Sequence, residues 1–228
     1  MRNISLSETA FVKPLPEKNH FHIKWFTPLV EVKLCGHATL AASHILIQEN
    51  YVNDSIFQFD SLSGVLKIKK EQEYIVLDFP LQKTGDKLDI KHFQEAFELN
   101  EEIIEAVQAY DDVLIRVSDE NVLKNLKPNF SKLMKVEARG IIVTAKSNTY
   151  DFVSRFFAPK VGVNEDPVTG SAHCKLAHYW SIQLGKNELS AYQASFRGGI
   201  IDLNIQGERV LLKGKAVSIL EGQWLIEI

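Results

Sequence analysis

The stretch Asn164-Glu165-Asp166-Pro167-Val168-Thr169-Gly170-Ser171-Ala172-His173-Cys174 decides how this chain folds. It follows an extended apolar run and leads into a run with apolar residues at helical spacing that ends near Trp180. Pro167 disfavours helix for the residue before it and suits the first turn of a helix. The pattern therefore predicts a strand, a tight loop and then a buried helix.

The predicted start of this helix also indicates a binding site. Backbone N–H groups at Gly170 and Ser171 have no partner within the helix, so they form a small pocket for an anion. The carboxylate of Asp166 stands at its rim, where it can manage a proton while the N–H groups hold a substrate carboxylate. The alternative is that Asp166, Thr169 and Ser171 only cap the helix.

A related copy of the pattern lies earlier in the chain, and it indicates an internal duplication. Three blocks match in order: 8–12 with 139–143, 24–32 with 155–163, and 63–68 with 198–203, at offsets of 131, 131 and 135 residues. The copy places Cys35-Gly36-His37 at the equivalent helix start. Duplication predicts an α+β fold of two similar lobes, each a curled, mostly antiparallel sheet against a central helix. The two helix starts would face a shared cleft, a preferred position for small-molecule sites.

The repeat also sets the expected boundaries. Residues 1–84 form the first lobe and 85–215 the second, with the hydrophilic segment 82–89 as linker and 216–228 returning to the first lobe. Within the second lobe the sequence predicts a helix near 90–97, one capped by Asn100 and one after Asp119. The second half has roughly fifty more residues before its first matched strand than the first half does. Either the first half is naturally minimal or the chain is a fragment, and we favour the fragment.

Composition excludes several function classes. A net charge of −3 provides no basic field for nucleic acid and no polybasic surface for a membrane. Two cysteines without a signal peptide indicate free thiols and a cytoplasmic location. Motifs for metals, Walker loops and dinucleotide fingerprints are absent from the sequence. We therefore expect neither a metal nor a cofactor.

Several motifs together resemble the PhzF-like family of phenazine-biosynthesis isomerases. They are Ser7-Glu8-Thr9-Ala10-Phe11-Val12, Leu34-Cys35-Gly36-His37-Ala38-Thr39, Asp78-Phe79-Pro80 and Glu165-Asp166-Pro167-Val168-Thr169-Gly170-Ser171. The resemblance covers essentially the whole chain. It implies a fold like diaminopimelate epimerase, a homodimer, and isomerisation of a small carboxylic acid, a dihydro-hydroxyanthranilate in the family, by proton transfer without a cofactor.

The resemblance also implies roles for five residues. Glu8 matches the acid/base glutamate of the family, His37 the histidine of its Gly-His motif, and Asp166 the aspartate of its loop. Gly170 and Ser171 match the residues that hold the substrate. Without the resemblance, Glu8 would be assigned to a capping box with Ser5, and His37 to a hydrogen-bonded turn.

Two other functions remain open at this point. An epimerase or racemase of an amino-acid-like substrate would use two opposed bases, but Cys35 has Asp166 and not a second thiol at the matching position. A non-catalytic protein that binds small molecules would keep the cleft without turnover.

Overall fold

The structure is a computed structural model, and it describes residues 8–27, 29–99 and 101–222. The strands are β1 (Thr9–Pro14), β2 (His20–Phe26), β3 (Glu31–Val32), β4 (Ile56–Ser61), β5 (Gly64–Glu71), β6 (Tyr74–Pro80), β7 (Thr84–Lys87), β8 (Ile103–Ala109), β9 (Asp112–Val117), β10 (Ile141–Lys146), β11 (Phe152–Phe157), β12 (Glu188–Gln193), β13 (Gly199–Gln206) and β14 (Arg209–Gly214). The helices are α1 (Gly36–Gln48), α2 (Lys91–Phe97), α3 (Glu120–Lys124), α4 (Phe130–Leu133) and α5 (Gly170–Leu184), with a 3₁₀ turn at Pro159–Val161.

The strands of the described residues form one sheet. Its order is β1-β2-β4-β5-β6-β14-β13-β12-β11-β10-β9-β8-β7, and β3 pairs with β2 beside this path. The pairs are antiparallel except for β2 with β4, β9 with β10 and β11 with β12. The predicted α+β class is thereby confirmed.

The two halves repeat one topology. The path β1-β2-β4-β5-β6 recurs as β10-β11-β12-β13-β14, and the second and third strands of each path are parallel. Strands β5 and β13 begin at Gly64 and Gly199, at the predicted offset of 135. The chain therefore folds as the duplication predicts.

One detail of the predicted repeat is wrong. Thr9 lies opposite Phe26 in the first half, and Ile141 lies opposite Phe157 in the second. The first strands are therefore 132 residues apart and not 131. Strand β10 is buried at every position from Ile141 to Ala145, so it has no alternation from which a one-residue shift could be detected in the sequence.

Helices α1 and α5 are buried against the sheet, each within its own half. Trp25 and Trp180 are each only 1% exposed and belong to the same apolar cluster, which draws residues from both halves. A second cluster, under α2, α3 and α4, belongs to the second half. The shared cluster fixes the starts of α1 and α5 relative to each other.

Three local predictions fail. The segment after Asn100 forms strand β8 and not a helix, because pairing with β9 and β7 overrides the helix propensity of its Glu and Ala residues. The expected linker contains β7, which pairs with β8. Turns predicted at Gly214 and at Glu221-Gly222 imply a strand between them, but residues 215–222 contain none in the described part of the chain. The expected final strand at 223–228, the capping residue Ser5 and Asn100 itself lie outside the described residues.

The division into lobes at 84/85 stays a prediction. Strand β14 of the second half pairs along its length with β6 of the first half, so the sheet is continuous between them. Among the helices that the structure describes, none is long and apolar enough to cross a membrane.

Candidate active site

Helices α1 and α5 meet at their N-termini through two glycines. A Cβ added to Gly36 would lie 2.7 Å from the Cα of Gly170, and one added to Gly170 would lie 2.9 Å from the Cα of Gly36. Any side chain at either position would therefore force the helices apart. The close contact brings the positive ends of two helix dipoles to one place.

The helix starts are open to a ligand. The N-cap residues, Cys35 of α1 and Thr169 of α5, make no side-chain capping bond in the described structure, and neither first turn holds an acidic residue. The backbone N–H groups of an uncapped first helical turn bind anions readily. The prediction that Ser171 stands at a helix N-terminus is confirmed, since α5 begins at Gly170.

Three of the predicted site residues converge beside this contact. The Nε2 atom of His37 lies 3.1 Å from a carboxylate oxygen of Glu8, and its Nδ1 atom lies 3.5 Å from a carboxylate oxygen of Asp166. Nδ1 also lies 2.9 Å from the carbonyl oxygen of Val168. The imidazole therefore connects two carboxylates that are 158 residues apart in the chain.

Asp166 is held by residues that the sequence argument did not include. The hydroxyl of Thr169 donates to its second carboxylate oxygen at 2.6 Å. Gln193, which is fully buried at the end of β12, donates to the carbonyl oxygen of Asp166 and accepts from the backbone N–H of Thr169. These bonds fix the loop before α5. The available signal in the sequence was a glutamine in phase with the apolar residues Leu189 and Ala191 of an alternating strand.

The electrostatics suit proton transfer. Burial raises the pKa of Asp166, and the nearby Glu8 adds to the effect, while His37 opposes it. Burial acts to lower the pKa of His37, but contacts with Cys35, Glu8 and Asp166 outweigh it and raise that pKa well above its usual range. The site therefore favours an imidazolium between two carboxyl groups, one of which binds a proton more tightly than usual.

Cys35 is a buried thiol in contact with His37. Burial raises the pKa of the Cys35 thiol. Its sulfur lies 3.8 Å from Nδ1 and 3.7 Å from Nε2 of His37, so it is nearly equidistant from the two ring nitrogens. Glu8, Cys35 and His37 form the one group of possible metal ligands among the described residues. A metal bound to Nε2 would lie in the ring plane, along the lone pair of that nitrogen. A sulfur at equal distances from both ring nitrogens does not lie in that direction. One ion could therefore contact all three ligands only if the imidazole rotated.

Ser171 makes a different contact from the other predicted residues. Its hydroxyl oxygen accepts a hydrogen bond from Arg139 at 3.1 Å. Arg139 in turn contacts Asp111 and Asp112, which also bind Lys175 of α5. The sequence argument missed this cluster. Its one local signal was a lysine within the apolar run of α5.

A cavity of about 630 Å³ adjoins the helix contact. Gly36, His37 and Gly170 line one side, and apolar side chains such as Leu40 and Leu77 line another. Of the three converging residues, His37 is the one that lines it. The volume and the apolar wall suit a small organic molecule.

Comparisons with known proteins identify the family. The model of the phenazine biosynthesis-like protein family matches residues 2–222. The chain belongs to this family. It is 45% identical over 227 residues to an uncharacterized isomerase from Halalkalibacterium halodurans, and the match covers 98% of this chain and 84% of the relative. The predicted family and the isomerase class of enzyme are thereby confirmed.

Solved structures agree. The crystal structure of a PhzF-family phenazine biosynthesis protein from Enterococcus faecalis matches with a TM-score of 0.86 and 39% identity, covering 92% of this chain and 79% of that one. A predicted epimerase from Pseudomonas aeruginosa shares the fold, with a TM-score of 0.78 at 19% identity over 99% of this chain and 86% of that one. Isomerases and epimerases thus share this architecture, and the reaction has to be argued from the site.

Proposed function

We propose that the chain isomerises a small unsaturated carboxylic acid by general acid–base proton transfer, without a cofactor. The observation that carries the proposal is the Glu8–His37–Asp166 arrangement beside two open helix N-termini. Proton transfer needs groups that both accept and return a proton, and the open helix starts supply positive potential for a carboxylate.

The proposed reaction moves one hydrogen between carbons. Glu8 takes a proton from an activated carbon, and the electron pair of the broken C–H bond enters the conjugated system that ends in the substrate carboxylate. Gly170 and Ser171 hold that carboxylate, and the imidazolium of His37 stabilises the added negative charge. A proton then returns to a different carbon from Glu8 or from the carboxyl of Asp166. Atoms and electrons balance without an external oxidant or reductant.

The epimerase alternative has less support. It needs a second base on the opposite face of one carbon, and the thiol of Cys35 faces His37 and has a raised pKa. The matching position of the second half, by helix start, is Thr169, the N-cap of α5. Neither group is a good base at neutral pH.

Isotope labelling separates the candidate functions. In deuterated water, an isomerase should place deuterium on a ring carbon of a cyclohexadiene carboxylic acid and shift its double bonds. An epimerase should instead exchange and invert the α-carbon of an amino acid such as proline, and Cys35→Ser should abolish that exchange. A binding protein should incorporate no deuterium into either compound. Labelled cyclohexadiene with unchanged double bonds would contradict isomerisation.

A further inference from the structure

Four charged residues form a cluster beneath the start of α5. Arg139 precedes β10, Asp111 and Asp112 lie at the start of β9, and Lys175 lies on α5. The Nη2 atom of Arg139 is 2.6 Å from Asp112, and its Nε atom is 3.0 Å from Asp111. The ammonium of Lys175 binds both aspartates. Two positive and two negative charges therefore balance.

Two members of the cluster are buried and two are partly exposed, Asp111 being 45% exposed. The side chain of Asp112 is fully buried and that of Lys175 is 1% exposed, while Arg139 is 31% exposed. Buried charges persist only where partners compensate their lost hydration. The guanidinium of Arg139 also lies over the ring of Phe156, 5.1 Å from its centre. Its plane is thus fixed both by ion pairs and by packing.

One edge of that fixed guanidinium points at a predicted substrate-binding residue. The Nη2 atom that binds Asp112 also donates to the hydroxyl oxygen of Ser171, at 3.1 Å. Arg139 can only donate, so the hydroxyl must accept here and its own hydrogen points elsewhere. No described residue accepts that hydrogen. A hydroxyl that accepts from a cation is also a stronger donor.

We propose that Arg139 is a positioning residue, which fixes the hydroxyl of Ser171 as a hydrogen-bond donor to the substrate carboxylate. The charged cluster of Asp111, Asp112 and Lys175 supports it from below. The inference rests on the proposed function, since it assigns Ser171 to a carboxylate. It adds a residue that acts through Ser171 and does not itself touch the substrate.

The arrangement also makes the two helix starts chemically different. His37 is the second residue of α1 and contacts Glu8, which immediately precedes β1. Ser171 is the second residue of α5 and contacts Arg139, which lies two residues before β10. The start of α1 thus lies beside a carboxylate that can accept a proton, and the start of α5 lies beside a permanent cation. The permanent positive charge makes the start of α5 the better place for the substrate carboxylate.

A binding experiment tests the role of Arg139 without requiring turnover. The probe is 2-aminobenzoate, a flat ring carboxylate, with affinity measured by calorimetry. Arg139→Lys keeps the charge for the aspartates, but a lysine cannot hold the fork geometry that reaches Asp112 and Ser171 together. We expect it to weaken binding on the order of tenfold, the loss of about one hydrogen bond. Ser171→Ala should weaken binding by a similar factor.

A double variant shows whether Arg139 acts through Ser171. In the Ser171→Ala background, Arg139→Lys should cause no further loss, because the contact is already absent. Arg116→Lys is the matched control, because the guanidinium of Arg116 also packs on an aromatic ring, that of Trp180 on α5. This substitution should leave the affinity for 2-aminobenzoate unchanged. If Arg139→Lys does not fold, the charge-balanced pair Arg139→Gln and Asp111→Asn replaces it, with the same expected loss.

Several results would overturn the proposal. One is an Arg139→Lys protein that binds 2-aminobenzoate as tightly as the wild type does. Another is a double variant in which the losses of affinity from the two substitutions add. The third is a wild-type protein that does not bind the probe. Failure of the proposed function looks different. If binding follows the expected pattern but no deuterium reaches carbon, the isomerase mechanism fails while the role of Arg139 stands.

Discussion

The contact between Gly36 and Gly170 makes a sharp prediction about the variant Gly36→Ala. The new Cβ would lie 2.7 Å from the Cα and 3.2 Å from the N of Gly170, both backbone atoms that cannot rotate away. Ordinary contact begins at 3.4 Å, so the helix starts must separate by about 0.7 Å. His37 is the next residue of α1 and would move with it.

The expected effect falls on rate more than on stability. A misplacement of about 1 Å at a catalytic group can cost 10²-fold, so we expect exchange to fall roughly 10- to 100-fold. Alanine is favoured over glycine within helices by up to about 1 kcal/mol, which offsets part of the steric cost to folding. Gly170→Ala should behave similarly, because it meets the same backbone.

The assay is the initial rate of deuterium incorporation into a cyclohexadiene carboxylic acid, with melting temperature measured alongside. Gly85→Ala is the control, since its Cβ would meet no atom closer than 3.8 Å and should not change the rate. A Gly36→Ala protein with the wild-type rate would show that the separation of the helix starts does not govern the chemistry.

Three further predictions concern stability and assembly. Burial lowers the pKa of His173 to about 4. The neutral form therefore contributes stability above about pH 6.5, and about 3 kcal/mol of it is lost as the pH falls toward 4. Denaturant unfolding of His173→Phe should lack that loss, and an unchanged slope of unfolding free energy against pH would contradict the prediction. The raised pKa of His37 has the opposite consequence: its contribution is full below about pH 6.5 and is lost as pH rises through the folded-state pKa. His37→Gln should therefore flatten the alkaline decline in unfolding free energy, and an equal decline would refute this. Strand β1 ends the described sheet on one side, and such edges pair readily with other chains, so we expect a homodimer; light scattering that finds a monomer at high concentration would contradict it.

The sequence predicted the features that depend on local pattern and on repetition. An extended apolar run predicted β11, and the matched blocks predicted the common topology of the halves before any pairing was known. Glu8, His37 and Asp166 were found because each belongs to a motif of the family. The structure then placed Glu8 and Asp166 within hydrogen-bond or ion-pair distance of His37.

Features that depend on contacts between distant segments were beyond the sequence. Strand β8 carries Glu, Ala and Gln, which favour helix in isolation, and only its neighbours in the sheet make it a strand. The pairing of Arg139 with Ser171, and of Asp112 with Lys175, spans 32 and 63 residues. Nothing in the local pattern of charges indicates those partners, since most charged residues are simply solvated.

The central claim is that Glu8 moves a proton between carbons, and Glu8→Gln tests it most directly. Glutamine keeps the shape of the side chain but cannot accept the proton, so deuterium incorporation should fall by roughly 10²- to 10⁴-fold. Binding of 2-aminobenzoate should persist, and Glu17→Gln, at a side chain that is 69% exposed, should retain the wild-type rate. A Glu8→Gln protein that incorporates deuterium as fast as the wild type would contradict the account.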